Sequence, residues 1–365
     1  MLKPSYTIPR LPLPIDLETV PVLRALAQAH RYLAELKGCA IAIPNQGILI
    51  DTLALQEAKA SSEIENIVTT QDELFQAELF PDGADTPATK EVSLYRDALK
   101  LGFSQLGKTG GLITNRGLVE IFQLLKRRDD GFRSTPGTAL LNDSTGEIVY
   151  VPPQDRHEII MHMAALEVFI NDDTVCDLDP LIKMALIHHQ FESVHPFPDG
   201  NGRIGRILNV LYLTRTGLLD IPILYLSRHI TRNKNEYYRL LQAVRDEGVW
   251  EEWVLFILQA VAQTAQTTLE LVDGMRQQMA TVKKRMRAEL PKLYSQDLLN
   301  NLFRHPYTRI DFVQADLNVT RQTAAKYLDT LADHKFVRKH QAGRNNYYIN
   351  TALMALFYKM SEDGK

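Results

Sequence analysis

Within a run of twelve residues, His195-Pro196-Phe197-Pro198-Asp199-Gly200-Asn201-Gly202-Arg203-Ile204-Gly205-Arg206, the chain combines an imidazole, a carboxylate, a glycine-rich turn and two guanidinium groups. These are the groups needed to hold a polyphosphate and to move a proton beside it. His195, with an ordinary pKa of ~6.5, can take a proton from an attacking hydroxyl near neutrality. Asp199 is a hard oxygen donor suited to a Mg²⁺ that also holds phosphate oxygens, because that ion rarely sits in an all-protein cage. Arg203 and Arg206 are three residues apart and share a helix face, where two forked cations can spread over a phosphate chain. Asn201 can hold the turn or the phosphates through its side-chain amide.

Two helices must position this run. Leu181 and Ala185, Met184 and His188, and His188 and Glu192 repeat at a spacing of four, so a helix that Asp179 caps and Pro180 opens leads into His195. Ile204, Ile207, Leu208, Leu211 and Tyr212 then resume helical spacing and place Gly200 to Gly202 at the start of a second helix. Glycines there can turn backbone N–H groups toward one point, and the positive end of the helix dipole favours an anion at it.

The run matches the Fic motif, HPFx(D/E)GNGRxxR, at every specified position, and the chain resembles that family of protein adenylyltransferases. The resemblance implies a mainly α Fic-fold helical bundle and transfer of AMP from ATP, with Mg²⁺, to a hydroxyl side chain of a target protein or of the enzyme itself. It implies that His195 is the general base and that Asp199 holds the metal. The nucleotide would lie against Asp199, Gly200, Asn201, Gly202, Arg203, Ile204, Gly205 and Arg206. In the related Doc toxins, which transfer phosphate, Lys is common at the position of Gly202, so glycine there implies AMP transfer.

Three further segments resemble parts of the same family. Ser61, Glu65 and Asn66 fit the self-inhibitory pattern (S/T)xxxE(G/N), whose glutamate pairs with the second arginine of the catalytic run, here Arg206. The stretch 146–153 begins with a turn glycine and continues with β-branched and aromatic residues before two prolines, as an edge strand does. It is similar to the Fic flap, with Val149, Tyr150 and Val151 as the target-docking segment. Tyr237 and Tyr238, in a helix opening near Arg232, resemble the tyrosines that line the adenine pocket.

Composition is consistent with this reading without implying it. The chain has 365 residues, 45% of them hydrophobic, enough for more than one core. A net charge of −3 excludes a globally basic nucleic-acid coat. Cys39 and Cys176 form no CxxC pair, so neither a disulfide framework nor a zinc site is indicated, and a reducing cytoplasm is the expected setting. No apolar stretch reaches spanning length and no signal peptide is expected.

Punctuation and periodicity then divide the chain. An arm containing Pro4, Pro9, Pro12, Pro14 and Pro21 should be extended and pack on the body. Helices are expected over roughly 21–37, 51–66, 70–78 and 88–107, with a loop at Pro81-Asp82-Gly83. Thr114 should cap a helix through Arg127, and Trp250 to Met286 reads as one or two long helices. Ser295–Phe303, Arg309–Leu317 and a helix capped by Thr320 precede a hairpin of 336–340 and 346–349 that turns through Gly343. That order resembles a winged helix-turn-helix, with Arg321, Gln322, Thr323 and Lys326 on the recognition helix and Arg338, Lys339 and Arg344 on the wing.

The expected domains are 1–110 with the inhibitory helix, 111–260 as catalytic core, 261–293 as helical linker and 294–365 as winged helix. Contact with DNA through that last domain, and a homodimer through the catalytic body, are the expected partnerships beside the target protein. His188 and His189 lack metal-ligand spacing and read as core residues. Two rival functions share the motif: a nucleotide-sensing transcriptional regulator, and a Fic enzyme that removes AMP, with Glu65 placing the attacking water.

Overall fold

The computed structural model describes residues 6–79, 86–142, 145–342 and 345–362. Pro4, the loop at Pro81-Asp82-Gly83, and Gly343 and Arg344 of the expected wing lie outside the described residues. Helices of the first half are α1 (Val20–Ile41), α2 (Gln46–Ile64), α3 (Gln71–Leu79), α4 (Pro87–Lys108) and α5 (Asn115–Lys126). Strands β1 (Leu140–Leu141) and β2 (Ile148–Tyr150) follow, then α6 (Arg156–Asn171), α7 (Pro180–Val194), α8 (Asn201–Arg215), α9 (Ser227–Arg232), α10 (Lys234–Glu247) and α11 (Trp250–Glu289). The last part holds α12 (Gln296–Arg304), β3 (Tyr307–Thr308), α13 (Ile310–Leu317), α14 (Arg321–Asp333), β4 (Arg338–Ala342), β5 (Asn345–Ile349) and α15 (Thr351–Glu362).

The body is mainly α, as the periodicity implies, and its centre is the pair α7 and α8. Every residue of α7 from Leu181 to Val194 is buried, as is α8 from Ile204 to Leu213. A helix surrounded in this way has no solvent face, so its strength as an element comes from its neighbours on all sides. Asp179 accepts from Leu181 N at 2.8 Å and Pro180 opens α7, the start expected from the sequence. Thr114 caps α5 through Gly117 N, Ser295 caps α12 through Leu298 N, and Thr320 caps α14 through Thr323 N.

Around this pair, α1 buries Val22, Leu26, Ala29, Leu33, Leu36 and Ala40 as one stripe and packs along α11. The stretch from Trp250 is a single helix of 40 residues, which at 1.5 Å per residue is about 60 Å long. It crosses the boundary drawn at 260/261, and Val261, Ala265, Thr268, Leu271, Val272 and Met275 stay buried beyond it. The arm packs on the body as expected: Leu17 is buried, and Pro9 O accepts from Gln190 Nε2 at 2.9 Å.

α6 has no counterpart in the sequence reading. Ile159, Met163, Leu166, Phe169 and Ile170 face inward while Ile160, Met161 and Val168 face out, so apolar residues on both sides conceal its period. β1 and β2 form an antiparallel hairpin with Leu140 opposite Tyr150 and Leu141 opposite Ile148.

At the C-terminal end, β3, β5 and β4 form a three-stranded antiparallel sheet in that order, behind α12, α13 and α14. β3 and α15 were not anticipated. Arg321 pairs with Asp311 at 3.0 Å and Lys339 with Asp329 at 2.6 Å, so part of the basic charge on α14 and β4 is neutralised internally. This module grips the N-terminal helices. Arg304 Nε donates to Asp51 on α2 at 2.6 Å, and Tyr307 Oη donates to Asp72 on α3 at 2.5 Å.

Candidate active site

The site lies where α7 ends and α8 begins. His195 terminates α7 in the left-handed region (φ 48°, ψ 58°), with its N–H donating to Phe191 O at 2.9 Å. A non-glycine residue held there is uncommon, and Arg133 shows what holds it. Arg133 Nε donates to His195 O at 2.8 Å, its Nη2 to Pro153 O and to Val194 O, and its backbone N–H to Pro196 O at 2.8 Å. One buried guanidinium thus ties the His195 turn to the segment that leaves β2. Nothing in the sequence reading singled it out.

Asn201 closes the turn as expected, accepting from Phe197 N at 2.8 Å and donating to Phe197 O at 2.7 Å. Gly200 precedes α8 with φ 76°, a conformation that favours glycine, and no side chain caps the helix. The first amides of α8 therefore remain directed at whatever sits beyond them. With the helix dipole they make an anion site.

The two arginines share the face that their spacing implies, but each is drawn to a different acid. Arg206 is buried; its Nε donates to Ser61 Oγ at 2.8 Å, and its Nη2 to Ser61 O at 2.9 Å and Glu65 Oε1 at 2.8 Å. Arg203, also buried, donates through Nη1 to Glu91 Oε2 at 2.8 Å. Asp199, the most exposed member, has Oδ2 at 2.6 Å from Lys126 Nζ and Oδ1 accepting from Gly200 N at 2.6 Å. Glu91 and Lys126 were not foreseen, since single charged residues on α4 and α5 carry no local signature.

Glu65 and Asn66 occupy the C-terminal end of α2. Glu65 is the C-cap residue, Asn66 is left-handed (φ 60°), and Ile67 N donates to Ser62 O at 3.0 Å, closing the helix in a Schellman-type turn. Lys234 Nζ donates to Asn66 Oδ1 at 3.1 Å. Gly202 completes the contact, because a Cβ there would lie 2.5 Å from Glu65 Oε1 and 2.9 Å from Arg206 Nη1.

Burial reshapes the titration of these groups. His195 falls to about 4, because burial penalises the imidazolium and Arg133 and Arg245 repel it. The ordinary value of ~6.5 belongs to a solvated imidazole, and the packing and cations around His195 lower it. Burial pushes Glu65 up, but the charge and hydrogen bond of Arg206 outweigh it and hold the carboxyl below its usual range. Asp199 likewise ends low, burial being outweighed by Lys126, Arg203 and the Gly200 amide. Glu192, one turn before His195, is pushed up to about 7 by burial, and its Oε1 has no hydrogen-bond partner.

The β1–β2 hairpin stands beside the turn. Tyr150 is buried, donates through Oη to Ser193 O at 2.8 Å, and carries the Arg245 guanidinium 4.0 Å above its ring. Val149 is half-buried and Val151 exposed. Tyr237 is 1% exposed, hydrogen-bonded to His188 at 2.8 Å and packed on Trp253, so it belongs to the core. Tyr238 is 44% exposed and is the member of the pair that turns a ring outward. His188 and His189 are buried, as expected for core residues.

Among the described residues no three His, Cys, Asp or Glu side chains gather as a metal set. A cation here would be held by Asp199 and by phosphate oxygens, the usual arrangement for Mg²⁺ at a nucleotide. Asp199 is the one carboxylate in the run 195–206, which suits an ion that takes most of its ligands from water and phosphate. No helix among the described residues is long and apolar enough to cross a membrane.

Comparison with known proteins bears on the same region. Residues 23–104 match the family described as Fic/DOC family N-terminal, and residues 113–213 match Fic/DOC family. Residues 278–353 match the C-terminal domain of SoFic-like protein adenylyltransferases. A probable protein adenylyltransferase of Aquifex aeolicus is 36% identical over 72 residues, 20% of this chain and 20% of that one. Protein adenylyltransferase Fic of Drosophila yakuba is 29% identical over 130 residues, 36% of this chain and 25% of that one. The chain thus spans a quarter or less of the length of these relatives.

Solved structures of Fic proteins share the fold. A Fic family protein from Desulfovibrio desulfuricans superposes with a TM-score of 0.57 at 18% identity, over 93% of this chain and 97% of that one. Fic-1 from C. elegans gives 0.53 at 19% identity, over 69% and 73%.

Proposed function

The chain belongs to the Fic/DOC family, and from that premise we propose that it transfers AMP from ATP to a Ser, Thr or Tyr hydroxyl of a target protein or of itself. The observation that carries this reading is the adjacency of His195 to the uncapped N-terminus of α8. A base and an anion site separated by one turn can bring an alcohol and a phosphate chain together, and such positioning is the larger part of catalysis in phosphoryl chemistry.

His195 takes the proton of the attacking hydroxyl. The freed oxygen bonds to the α-phosphorus as the bond from that phosphorus to the bridging oxygen breaks, and pyrophosphate leaves with the electron pair. The α8 amides with Gly200, Asn201, Gly202, Ile204 and Gly205 line the phosphates, and Arg203 and Arg206 neutralise the outer two. Asp199 would hold Mg²⁺, which supplies charge neutralisation at the phosphate oxygens. Tyr238 offers a ring to the base, with Tyr237 fixing it from behind.

In the resting protein Glu65 holds Arg206 away from the γ-phosphate, with Ser61 and Asn66 fixing the turn that carries it. An acid that already occupies the guanidinium competes with an anionic ligand for the same donors. The target segment adds as a strand beside β2, along Val149, Tyr150 and Val151. The C-terminal module is read as a winged helix, on its order of three helices and a hairpin, and the catalytic body as the homodimer surface, with Ile160, Met161 and Val168 exposed on α6.

The test is transfer of label. Glu65→Gly protein given ATP labelled at the α-phosphate should acquire label on itself or on a target, with an intact-mass increase of one adenylate. Glu65→Gly/His195→Ala should acquire none. Transfer of γ-phosphate label instead, or label that survives loss of His195, overturns the reading.

A further inference from the structure

Resting on the reading of this site as a triphosphate pocket, we propose that Lys126 is a resident counter-ion of Asp199 that yields the carboxylate to a divalent cation by crossing to Glu91. Four charged side chains alternate in sign from the catalytic turn outward. Asp199 Oδ2 is 2.6 Å from Lys126 Nζ, Lys126 Nζ is 3.7 Å from Glu91 Oε1, and Glu91 Oε2 is 2.8 Å from Arg203 Nη1. They come from three helices and the turn, so their meeting is a product of the fold.

The geometry distinguishes Lys126 from an ordinary surface lysine. Its side chain is 14% exposed whereas its partner Asp199 is 58% exposed, so the cation is the enclosed member of the pair. Its stem lies on the turn itself, for a Cβ at Gly200 would be 3.4 Å from Lys126 Cδ. Both oxygens of Asp199 are engaged, one by Lys126 and one by the Gly200 amide. A divalent cation approaching Oδ2 meets the ammonium at contact distance, so like-charge repulsion favours an inner-ligand carboxylate once the ammonium has moved. The ammonium has somewhere to go, because Glu91 Oε1 lies within reach and its other oxygen is already facing Arg203.

The exchange has a consequence for binding. With Lys126 present, Asp199 is neutralised even in the absence of a divalent ion, so a bare triphosphate can approach the α8 amides without meeting an unpaired carboxylate. Without it, Asp199 repels the triphosphate until a divalent ion is bound. Lys126 therefore sets how strongly nucleotide affinity depends on Mg²⁺, and it is a positioning residue for the charge balance of the pocket.

The test is ATP binding by calorimetry, without turnover as the readout, in the Glu65→Gly background, once with Mg²⁺ and once with EDTA. Loss of affinity on removing Mg²⁺ should be about tenfold or more greater in Lys126→Met than in its parent, the low end of the effect of one unit charge at contact distance near a protein surface. Lys126→Gln should behave as Lys126→Met does, and Lys126→Arg should return the ratio to that of the parent. Equal Mg²⁺ dependence in all four proteins overturns the proposal and leaves the nucleotide site standing. Absence of ATP binding in every protein, with or without Mg²⁺, overturns the nucleotide reading and this inference together.

Discussion

Gly202 and Glu65 are in direct contact: a methyl group at position 202 would sit 2.5 Å from the carboxylate oxygen that pairs with Arg206. The absence of a side chain at position 202, in the first turn of α8, is therefore what lets Glu65 reach Arg206. Of the two obstacles a Cβ would meet, the Glu65 carboxylate is the end of a flexible side chain on a terminal turn, while Arg206 is fixed by Ser61 as well. Glu65 is the group that gives way. Gly202→Ala and Glu65→Gly should consequently be non-additive for ATP affinity, the second change adding little to the first in a double-mutant cycle. Additive free energies would show that the two residues act separately.

Removing Glu65 should weaken the resting fold and strengthen its response to nucleotide. Loss of one partner from a buried ion pair costs about 3–5 kcal/mol, but Glu65 is a third exposed and Arg206 keeps both bonds to Ser61, so a smaller loss is expected. Thermal unfolding of Glu65→Gly should begin below that of the parent, and ATP should raise its midpoint further than it raises the parent's. Equal ATP shifts in the two proteins would remove Glu65 from any competition with phosphate.

The acid limb of the reaction should lie well below neutrality. Under the proposed role of His195 as base, burial and the Arg133 and Arg245 charges favour its neutral form near neutrality, so kcat/KM of Glu65→Gly should be flat from about pH 5.5 upward and show no titration near 6.5. Glu65 itself raises the His195 value, so its removal moves the limb down. Stability follows with a definite sign. A histidine whose folded pKa is depressed contributes stability that is present above ~6.5 and lost as pH falls toward 4, at about 1.4 kcal/mol per pH unit per proton. The difference in unfolding free energy between parent and His195→Ala, measured against pH, isolates that slope.

Arg133 should prove indispensable to the turn. It satisfies the carbonyls of Pro153, Val194 and His195 at once, and its substitution by Ala leaves buried acceptors unpaired at about 1–3 kcal/mol each. Because Arg133 also helps hold the imidazole low, Arg133→Ala should move the His195 titration upward in an NMR titration. An unchanged His195 titration in a folded Arg133→Ala protein would argue that the arginine is remote from the imidazole in solution.

The parts of this architecture legible in the sequence are those set within one or two helical turns. Asp179 and Pro180 starting α7, Thr114 starting α5, Asn201 bracing the turn and the return of helical spacing at Ile204 all depend on near neighbours. Glu65 and Arg206 are 141 residues apart, and only a family pattern connected them. Glu91 meets Arg203 across 112 residues and Arg133 meets His195 across 62, with no pattern to mark either. The depressed pKa of His195 was hidden for the same reason, since burial is a property of the packed helices around it. α6 escaped because its outward residues are as apolar as its inward ones.

Release of the proposed Glu65 restraint should be a local event at the end of α2, not withdrawal of the helix. The middle of α2 is held from several directions: Glu57 is buried and accepts from Ser227 N at 2.9 Å, Ser227 Oγ and Tyr95 Oη at 3.1 Å. Four residues on, Ser61 is bound to Arg206 through both side chain and backbone, and Asp51 near the start is pinned by Lys100 and Arg304. Pulling α2 away would expose a buried carboxylate and break these contacts together. Glu65 is different, because it follows the last helical residue and depends on a Schellman-type closure and the Lys234 to Asn66 bond. Opening that closure frees the carboxylate and leaves Glu57 and Ser61 in place. Hydrogen exchange should therefore show the amides of Glu65 to Ile67 exchanging well ahead of those of Leu55 to Ser61, and ATP with Mg²⁺ should speed the first group while leaving the second protected. Deprotection of the two groups together on adding nucleotide would mean that the whole helix moves, and that the C-terminal module holding Asp51 moves with it.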